Sequence, residues 1–196
     1  MGQPQIGKSR LEAFSDGVLA IIITIMVLEL KAPHGDTFDV LIQIYPVFLS
    51  YILSFIYVGI YWNNHHHMLH TLQSVSGPVL WANLHLLFWL SLVPFATGWM
   101  GENHFSQLPT QTYGFVLCMC GIAYYILEYA IIATQGSDSI LKKAIGFDWK
   151  GKLSPILYII AIVAAFWEPW IALAIYAGVA LVWIIPDPRI VKLYRS

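Results

Sequence analysis

The amino-acid sequence predicts an all-α integral membrane protein with about six transmembrane helices, and three observations lead to this fold class. Of the 196 residues, 58% are hydrophobic and only 11% are charged, which is roughly half the charged share of a soluble domain. The mean hydropathy is +0.67. The apolar residues also occur in runs of roughly 20, the length that a helix needs to cross the hydrocarbon core of a bilayer.

Six apolar segments qualify as candidate spans, and turn-forming residues separate the first four. The segments are residues 11–31, 40–64, 78–100, 111–134, 153–167 and 169–185. The breaks at Ala32–Asp36, Ser76–Pro78, Gly101–Asn103 and Gln135–Asp138 contain Gly, Pro, Asn and Asp residues, which are typical of turns. We expect the six helices to form a single transmembrane domain over residues 1–196.

The last apolar stretch needs a separate argument because it is too long for one helix. As a continuous helix, residues 153–185 would extend roughly 50 Å, whereas the hydrocarbon core is about 30 Å thick. Glu168 and Pro169 interrupt the stretch. We therefore expect a tight hairpin of two short helices.

The distribution of basic residues predicts that both termini face the cytoplasm. Lys and Arg near the ends of membrane helices mark the cytoplasmic side. With six crossings, nine of the ten Lys and Arg residues lie on that side, and Lys31 is the exception. With five crossings, Arg189, Lys192 and Arg195 would lie on the opposite side, so the even number is favoured. The net charge of −1 supplies no basic surface for nucleic acid, and the expected location is the cell (plasma) membrane.

Helix one carries ionisable residues at a depth where they are costly unless they face the protein interior or water. Asp16 lies roughly 9 Å deeper than Arg10 along a helix that rises about 1.5 Å per residue, and its short side chain cannot reach the interface. The expected antiparallel order of the helices brings His65, His66 and Asn83 into the same leaflet. Because buried polar groups need partners, the pattern favours a structural clamp between helices.

The same polar residues leave other interpretations open. His65, His66 and His67 are potential metal ligands, but consecutive helix residues point about 100° apart, so we predict no metal site. Histidine also titrates near neutral pH, so proton sensing, or a proton relay with Asp16 in a proton-coupled secondary transporter, is the alternative. Such a transporter is expected to contain repeats, and the sequence has no detectable repeat.

Ile21, Ile25 and Leu28 form an aliphatic stripe on helix one, since their i, i+4, i+7 spacing puts them on one face. Such a stripe usually contacts lipid or another helix. Ile21 lies roughly 16 Å from Arg10 along the helix, near the bilayer midplane, and hydrophobic constrictions can gate or filter ions. Thr24 borders the stripe with a hydroxyl group.

Residues 10–16, Arg-Leu-Glu-Ala-Phe-Ser-Asp, match an Arg-x-x-x-Phe-Ser-Asp signature. On this motif the sequence resembles a prokaryotic member of the endosomal/lysosomal transmembrane potassium-channel family. Thr24–Leu30 in helix one, Tyr61–His66 at the end of helix two and Ser91–Phe95 in helix three are also similar to the family. The resemblance covers helices one to three closely, and the rest of the chain by length and hydropathy.

The resemblance implies a homotetramer of six-helix subunits in which helix one lines a central pore. Ile21, Ile25 and Leu28 would form the pore constriction. Thr24 would form a hydroxyl layer that is linked to potassium preference. The structural polar clamp that the resemblance implies consists of Arg10, Ser15, Asp16, His65, His66 and Asn83.

The resemblance further implies a passive, potassium-preferring cation channel with no enzymatic activity and no cofactor, whose permeant ion is potassium. The sequence lacks the Thr-Val-Gly-Tyr-Gly filter of ordinary potassium channels, as the family does, so the aliphatic constriction would replace it. Ala20 stands where some relatives carry a hydroxyl group, which predicts modest selectivity. The expected partners are the lipid bilayer, further copies of the chain, and potassium and other monovalent cations.

Overall fold

The computed structural model describes residues 7–136, 139, 141–142 and 149–184, and every regular element within these ranges is helical. Eight α-helices are bounded there. They are α1 (Lys8–Leu28), α2 (Phe38–Gln43), α3 (Tyr45–His70), α4 (Gly77–Ser91), α5 (Val93–Glu102), α6 (Gln107–Gln135), α7 (Trp149–Ala164) and α8 (Pro169–Ile184). The all-α class predicted from the sequence is confirmed.

Four helical segments of the described chain are long and apolar enough to cross a bilayer. They are Lys8–Leu28, Tyr45–His70, Gly77–Glu102 and Gln107–Gln135. Helices α7 and α8 have 16 residues each, so each extends roughly 24 Å, less than the hydrocarbon thickness of about 30 Å. Within the described residues, the apolar helices are therefore four full-length spans and one pair of shorter helices.

Proline interrupts two of the predicted spans. The second predicted span consists of α2 and α3, which are separated at Ile44, and the third consists of α4 and α5, which are separated at Leu92. Pro46 and Pro94 each follow the break by two residues. A proline has no N–H to donate to the carbonyl four residues earlier, so the helical hydrogen bonding is locally interrupted at these two points.

The α7–α8 hairpin breaks at the Glu168–Pro169 pair that the sequence analysis singled out. The backbone N–H of Glu168 donates to the carbonyl of Ala164, and Glu168 Oε1 accepts from the N–H of Trp170 at 3.2 Å. Pro169 is the first residue of α8, a position where its missing N–H would have no helical partner anyway. The carboxylate and the proline together terminate one helix and start the next.

Helices α3 and α6 are central to the subunit. Helix α6 packs against α4, α5, α7 and α8, and α3 packs against α1, α5 and α8. Helix α1 contacts α3, α4 and α5. Fully buried apolar side chains such as Leu86, Leu117 and Leu127 fill the interior. Because α1 packs against three helices, its position depends on all three.

Polar contacts at both ends of α1 show how it runs relative to its neighbours. At its first residue, Lys8 Nζ donates to the carbonyl of His70 at 2.7 Å. Just beyond its last residue, Lys31 forms an ion pair with Glu102 at 3.6 Å. Helix α1 is therefore antiparallel to α3, and its C-terminal end lies beside that of α5.

Gly101 allows α5 to approach α3 closely. A Cβ atom at this position would lie 2.7 Å from the Cα of Val47 and 3.0 Å from Ser50 Oγ. The nearest obstruction is backbone, which cannot rotate away as a side chain can. Only glycine therefore fits this contact without moving one of the two helices.

We predict that Gly101→Ala destabilises the subunit, because an added methyl group overpacks this contact at a typical cost of about 1–3 kcal/mol. The measurement is the thermal unfolding midpoint of the purified protein in detergent. Gly59→Ala is the matched control, since a Cβ on that helical glycine would have no neighbouring atom within 4 Å. Equal midpoints for the two variants would contradict the close approach of α5 to α3.

Candidate functional site: the first helix and its contacts

One face of α1 is buried in the subunit. Its buried residues are Leu11, Ser15, Leu19, Ile22 and Met26. Their spacing of three and four residues puts them on one side of the helix, toward α3, α4 and α5. Ser15 is the polar member of this otherwise apolar set.

The aliphatic stripe lies on a different face of α1 and is open in the single subunit. Ile21, Ile25 and Leu28 are 59%, 42% and 73% exposed. Thr24 is also exposed, and its hydroxyl donates to the carbonyl of Ala20 at 2.9 Å. Because the hydroxyl hydrogen is committed to its own helix, the oxygen offers only lone pairs to whatever adjoins this face.

Three of the predicted clamp residues form one buried hydrogen-bond chain. Ser15 Oγ donates to the carbonyl of Leu11 at 2.8 Å, and Asn83 Nδ2 donates to Ser15 Oγ at 3.0 Å. Asn83 Oδ1 lies 2.7 Å from His65 Nε2. An amide oxygen can only accept, so the His65 ring carries a proton on Nε2. The chain links α1, α3 and α4, and its three side chains are at most 2% exposed.

The other three predicted clamp residues lie outside this chain. Asp16 is exposed and accepts a hydrogen bond from Trp62 Nε1 at 3.1 Å. The ring of exposed His66 stacks on Trp62, with centroids 6.5 Å apart. Arg10 is exposed and shares the face of the stripe by helical spacing, since it precedes Ile21 by 11 residues.

Trp62 is a contact that the sequence analysis missed. Its indole N–H reaches across from α3 to α1, whereas a tryptophan near the end of a membrane helix is usually an interfacial anchor. The contact could have been predicted because an indole N–H needs an acceptor when it is partly buried. Asp16 is one of two acidic side chains on the facing helix, the other being Glu12. Asp16 therefore finds its partner in an indole rather than in a histidine or Asn83.

A second buried polar chain joins α3, α5 and α6 and was also missed. Thr97 Oγ1 donates to the carbonyl of Val93 at 2.6 Å and lies 2.7 Å from Ser54 Oγ. Ser54 Oγ lies 3.0 Å from the hydroxyl of Tyr113. Since the hydrogen of Thr97 is committed to Val93, Ser54 donates to Thr97 and Tyr113 donates to Ser54. The sequence alone does not indicate which groups a hydroxyl in an apolar run bonds to, so this chain could not be predicted.

His65 and His66 diverge, because successive helix residues point about 100° apart, whereas the ring centroids of His66 and His67 lie 5.7 Å apart. His65 points to Asn83, while His66 stacks on Trp62. Within the residues that the structure describes, no group of three or more His, Cys, Asp or Glu side chains could hold a metal ion. The arrangement is suited to fixing helices against one another.

Helices and contacts of this kind define an α-helical membrane protein in which the first helix is fixed by polar groups on its buried side and presents an open aliphatic face elsewhere. The family model described as "Endosomal/lysosomal potassium channel TMEM175" matches residues 10–94. A potassium channel of Chryseobacterium sp. (strain P1-3) is 60% identical over 185 residues, covering 94% of this chain and 96% of that protein. The chain belongs to the TMEM175 family.

Two further relatives agree with this assignment. A potassium channel of Streptomyces collinus (strain DSM 40733 / Tue 365) is 31% identical over 135 residues, covering 65% of this chain and 66% of that protein. The crystal structure of a lysosomal potassium-selective channel TMEM175 homolog from Chamaesiphon minutus has a TM-score of 0.77 at 26% identity, covering 91% of this chain and 96% of that chain. The family resemblance inferred from the sequence is confirmed, and the family consists of channels rather than enzymes.

We predict that Asn83→Ala destabilises the subunit, because it leaves the Nε2 proton of buried His65 without an acceptor. An unsatisfied buried donor costs about 1–3 kcal/mol. The thermal unfolding midpoint in detergent measures the loss. Asn103→Ala is the matched control, since exposed Asn103 donates to the carbonyl of Trp99 one turn earlier in the chain. A loss no greater than that of the control would contradict the role assigned to Asn83.

Proposed function

We propose that the chain is the subunit of a passive, potassium-preferring cation channel in which α1 lines the ion path. The observation that carries this proposal is the open aliphatic face of α1, formed by Ile21, Ile25 and Leu28, on a helix whose buried face is held by its own subunit. Two relatives of the chain are potassium channels. A pore-lining helix needs one face for its own subunit and another for the ion path.

Four copies around a common axis would enclose this path. In one subunit the stripe lies on the outside, so a single copy would supply only one wall of the ion path. The homotetramer is the arrangement that the family resemblance implies. Four Ile21 side chains would then form the narrowest ring near the bilayer midplane, and Ile25 and Leu28 would continue the constriction outward. A ring of this kind impedes ions by excluding water.

Selectivity would arise from partial dehydration at this constriction and from Thr24 beside it. Potassium holds its hydration shell less tightly than sodium, so a hydrophobic ring that removes water penalises sodium more. The Thr24 oxygen, whose hydrogen is bonded to the Ala20 carbonyl, can offset part of the lost hydration of a cation. Ala20 itself offers no hydroxyl, which is why we expect a modest preference.

The polar contacts on the other sides of α1 would fix its rotation. Turning α1 by one residue, about 100°, would replace the aliphatic stripe with a different set of side chains. The chain from Ser15 through Asn83 to His65 and the contact between Asp16 and Trp62 oppose such a rotation. In this proposal the remaining clamp residues, Arg10 and His66, would add polar contacts at the end of the subunit where Ser15 and Asp16 lie.

We further propose six crossings, with both termini cytoplasmic, in the plasma membrane. The α7–α8 hairpin packs on α3 and α6, two full-length spans, which supports a paired crossing by the two shorter helices. Four of the basic residues used for the orientation lie outside the described residues; they are Lys143, Arg189, Lys192 and Arg195. The orientation therefore remains a prediction from charge.

We predict that Ile21→Asn increases conductance or reduces selectivity for potassium over sodium, because an amide in the ring retains water where isoleucine excludes it. The measurement is current through planar bilayers under potassium/sodium bi-ionic conditions. Ile159→Asn is the matched control, since Ile159 is an isoleucine on α7 with a similar exposure of 55%. Unchanged currents in Ile21→Asn would remove this residue from the ion path.

The same recordings test the alternative of a proton-coupled transporter. A channel gives current that follows the reversal potential, whereas a transporter gives saturable flux that depends on a proton gradient. In the structure Asp16 bonds to Trp62 and His65 to Asn83. The two titratable groups of the suggested relay thus have different hydrogen-bond partners.

A further inference from the structure

A groove of about 600 Å³ lies on the surface of the subunit between α4 and α6. Among the residues that the structure describes, none from α1 lines it, so it is separate from the proposed ion path. Its lining includes the small side chains of Ala82, Ala130 and Ala133, which leave space that larger residues would fill. Trp81 and Tyr129 also line it and are 73% and 66% exposed, so the groove is open to the surroundings of the subunit.

We propose that this groove binds one acyl chain of an anionic phospholipid, whose phosphate lies beside Lys142. Both α4 and α6 belong to full-length spans, so the medium next to the groove is the bilayer. The described residues that line it include no Asp, Glu, Lys or Arg. A lining of this composition suits hydrocarbon, and such a site needs charge only where the headgroup lies.

The groove begins at the ends of two helices and runs along their axes. Ser76 Oγ lies 3.0 Å from Thr134 Oγ1, so the start of α4 is beside the end of α6. Along α4 the lining extends from Pro78 to His85, and along α6 it extends from Thr134 back to Ile126. These stretches correspond to roughly 10–12 Å of helix. The acyl chain of a bilayer lipid likewise starts at the membrane surface and runs inward.

His85 and Thr134 give the groove polar atoms but no charge. The hydroxyl of Thr134 donates to the carbonyl of Ala130 at 2.8 Å, and Trp89 Nε1 donates to His85 Nε2 at 3.0 Å. Because an indole N–H can only donate, His85 Nε2 carries no proton and the ring is neutral. The groove is therefore uncharged along its length, which disfavours a charged ligand within it.

Positive charge lies where the groove reaches the end of α6. Gln135 Oε1 accepts from Ser139 Oγ at 2.8 Å, and Ser139 Oγ accepts from the backbone N–H of Lys142 at 3.2 Å. The two bonds hold Lys142 beside the last turn of α6, and its side chain is exposed. An ammonium group next to an uncharged groove complements a phosphate that is attached to a hydrocarbon chain, and basic pockets between membrane helices bind anionic headgroups.

The aromatic residues and the size of the groove favour a lipid over a helix of a second copy. Trp81 and Tyr129 lie within about two turns of the ends of their helices, the level at which aromatic side chains meet lipid headgroups. A helix is about 10 Å across, so roughly 12 Å of its length would occupy about 900 Å³. The groove provides about 600 Å³, and an extended acyl chain is much thinner than a helix.

Two substitutions test the two halves of the site. Ala133→Phe places a ring in the groove from an exposed position, and Ala174→Phe is its matched control, since Ala174 is an exposed alanine of α8. Lys142→Gln removes the charge beside the groove. Its control is Lys31→Gln, because Lys31 pairs with Glu102 at the opposite end of the helices.

The experiment is a native mass spectrometric titration of the purified, delipidated full-length chain in detergent with phosphatidylglycerol and, separately, with phosphatidylcholine of the same acyl chains. We expect the parent protein and both controls to bind phosphatidylglycerol more tightly than phosphatidylcholine. Lys142→Gln should reduce this preference by about fivefold. Ala133→Phe should weaken the binding of both lipids by about tenfold or more. Thermal unfolding midpoints establish that each variant is folded.

Equal affinities of the parent protein for the two lipids, an unchanged preference in Lys142→Gln, or unchanged affinities in Ala133→Phe would overturn the proposal. Loss of subunit association in Ala133→Phe with lipid binding retained would assign the groove to a second copy of the chain and would overturn it as well. Lys142→Gln alters an exposed side chain, so it decides the matter even where Ala133→Phe does not fold. The readout is lipid binding, so these outcomes are independent of whether α1 lines an ion path.

Discussion

The buried hydrogen-bond chain from Ser15 through Asn83 to His65 is the interaction on which the arrangement of α1 depends. A helix that lies between apolar neighbours in a bilayer gains little from the hydrophobic effect by choosing one rotation over another, because lipid is as apolar as leucine. Polar groups remove this freedom, since a buried donor or acceptor that loses its partner is costly. In this subunit the side chain of Asn83 satisfies α1 and α3 at once.

Polar contacts and close helix approaches also fix the packing of α3, α5 and α6. Ser54, Thr97 and Tyr113 link α3, α5 and α6 next to the break before Pro94, and Gly101 brings the backbone of α5 against α3. A few directional contacts and close approaches therefore specify how otherwise interchangeable apolar helices pack. The aliphatic face of α1 takes no part in these contacts, which leaves it available for the ion path that we propose.

Sequence reasoning recovered the features that follow from local chemistry. Apolar run length predicted the helices, and Glu168–Pro169 predicted the division between α7 and α8. Shared depth grouped Ser15, His65 and Asn83, which the structure joins in one hydrogen-bond chain. The same grouping included Arg10 and His66, which lie outside this chain, because depth along an axis does not specify the direction in which a side chain points. The partner of Asp16 is Trp62, a pairing that depends on the separation of two helices and therefore required the structure.

The central claim, that the stripe on α1 faces an aqueous ion path, is tested most directly by the accessibility of a cysteine placed within it. The native Cys118 and Cys120 are buried, so they contribute little background. In Leu28→Cys channels, a membrane-impermeant, positively charged thiol reagent added from the aqueous side should reduce potassium current progressively. Current that is insensitive to this reagent, together with labelling of the same cysteine by a lipid-soluble reagent, would contradict the account.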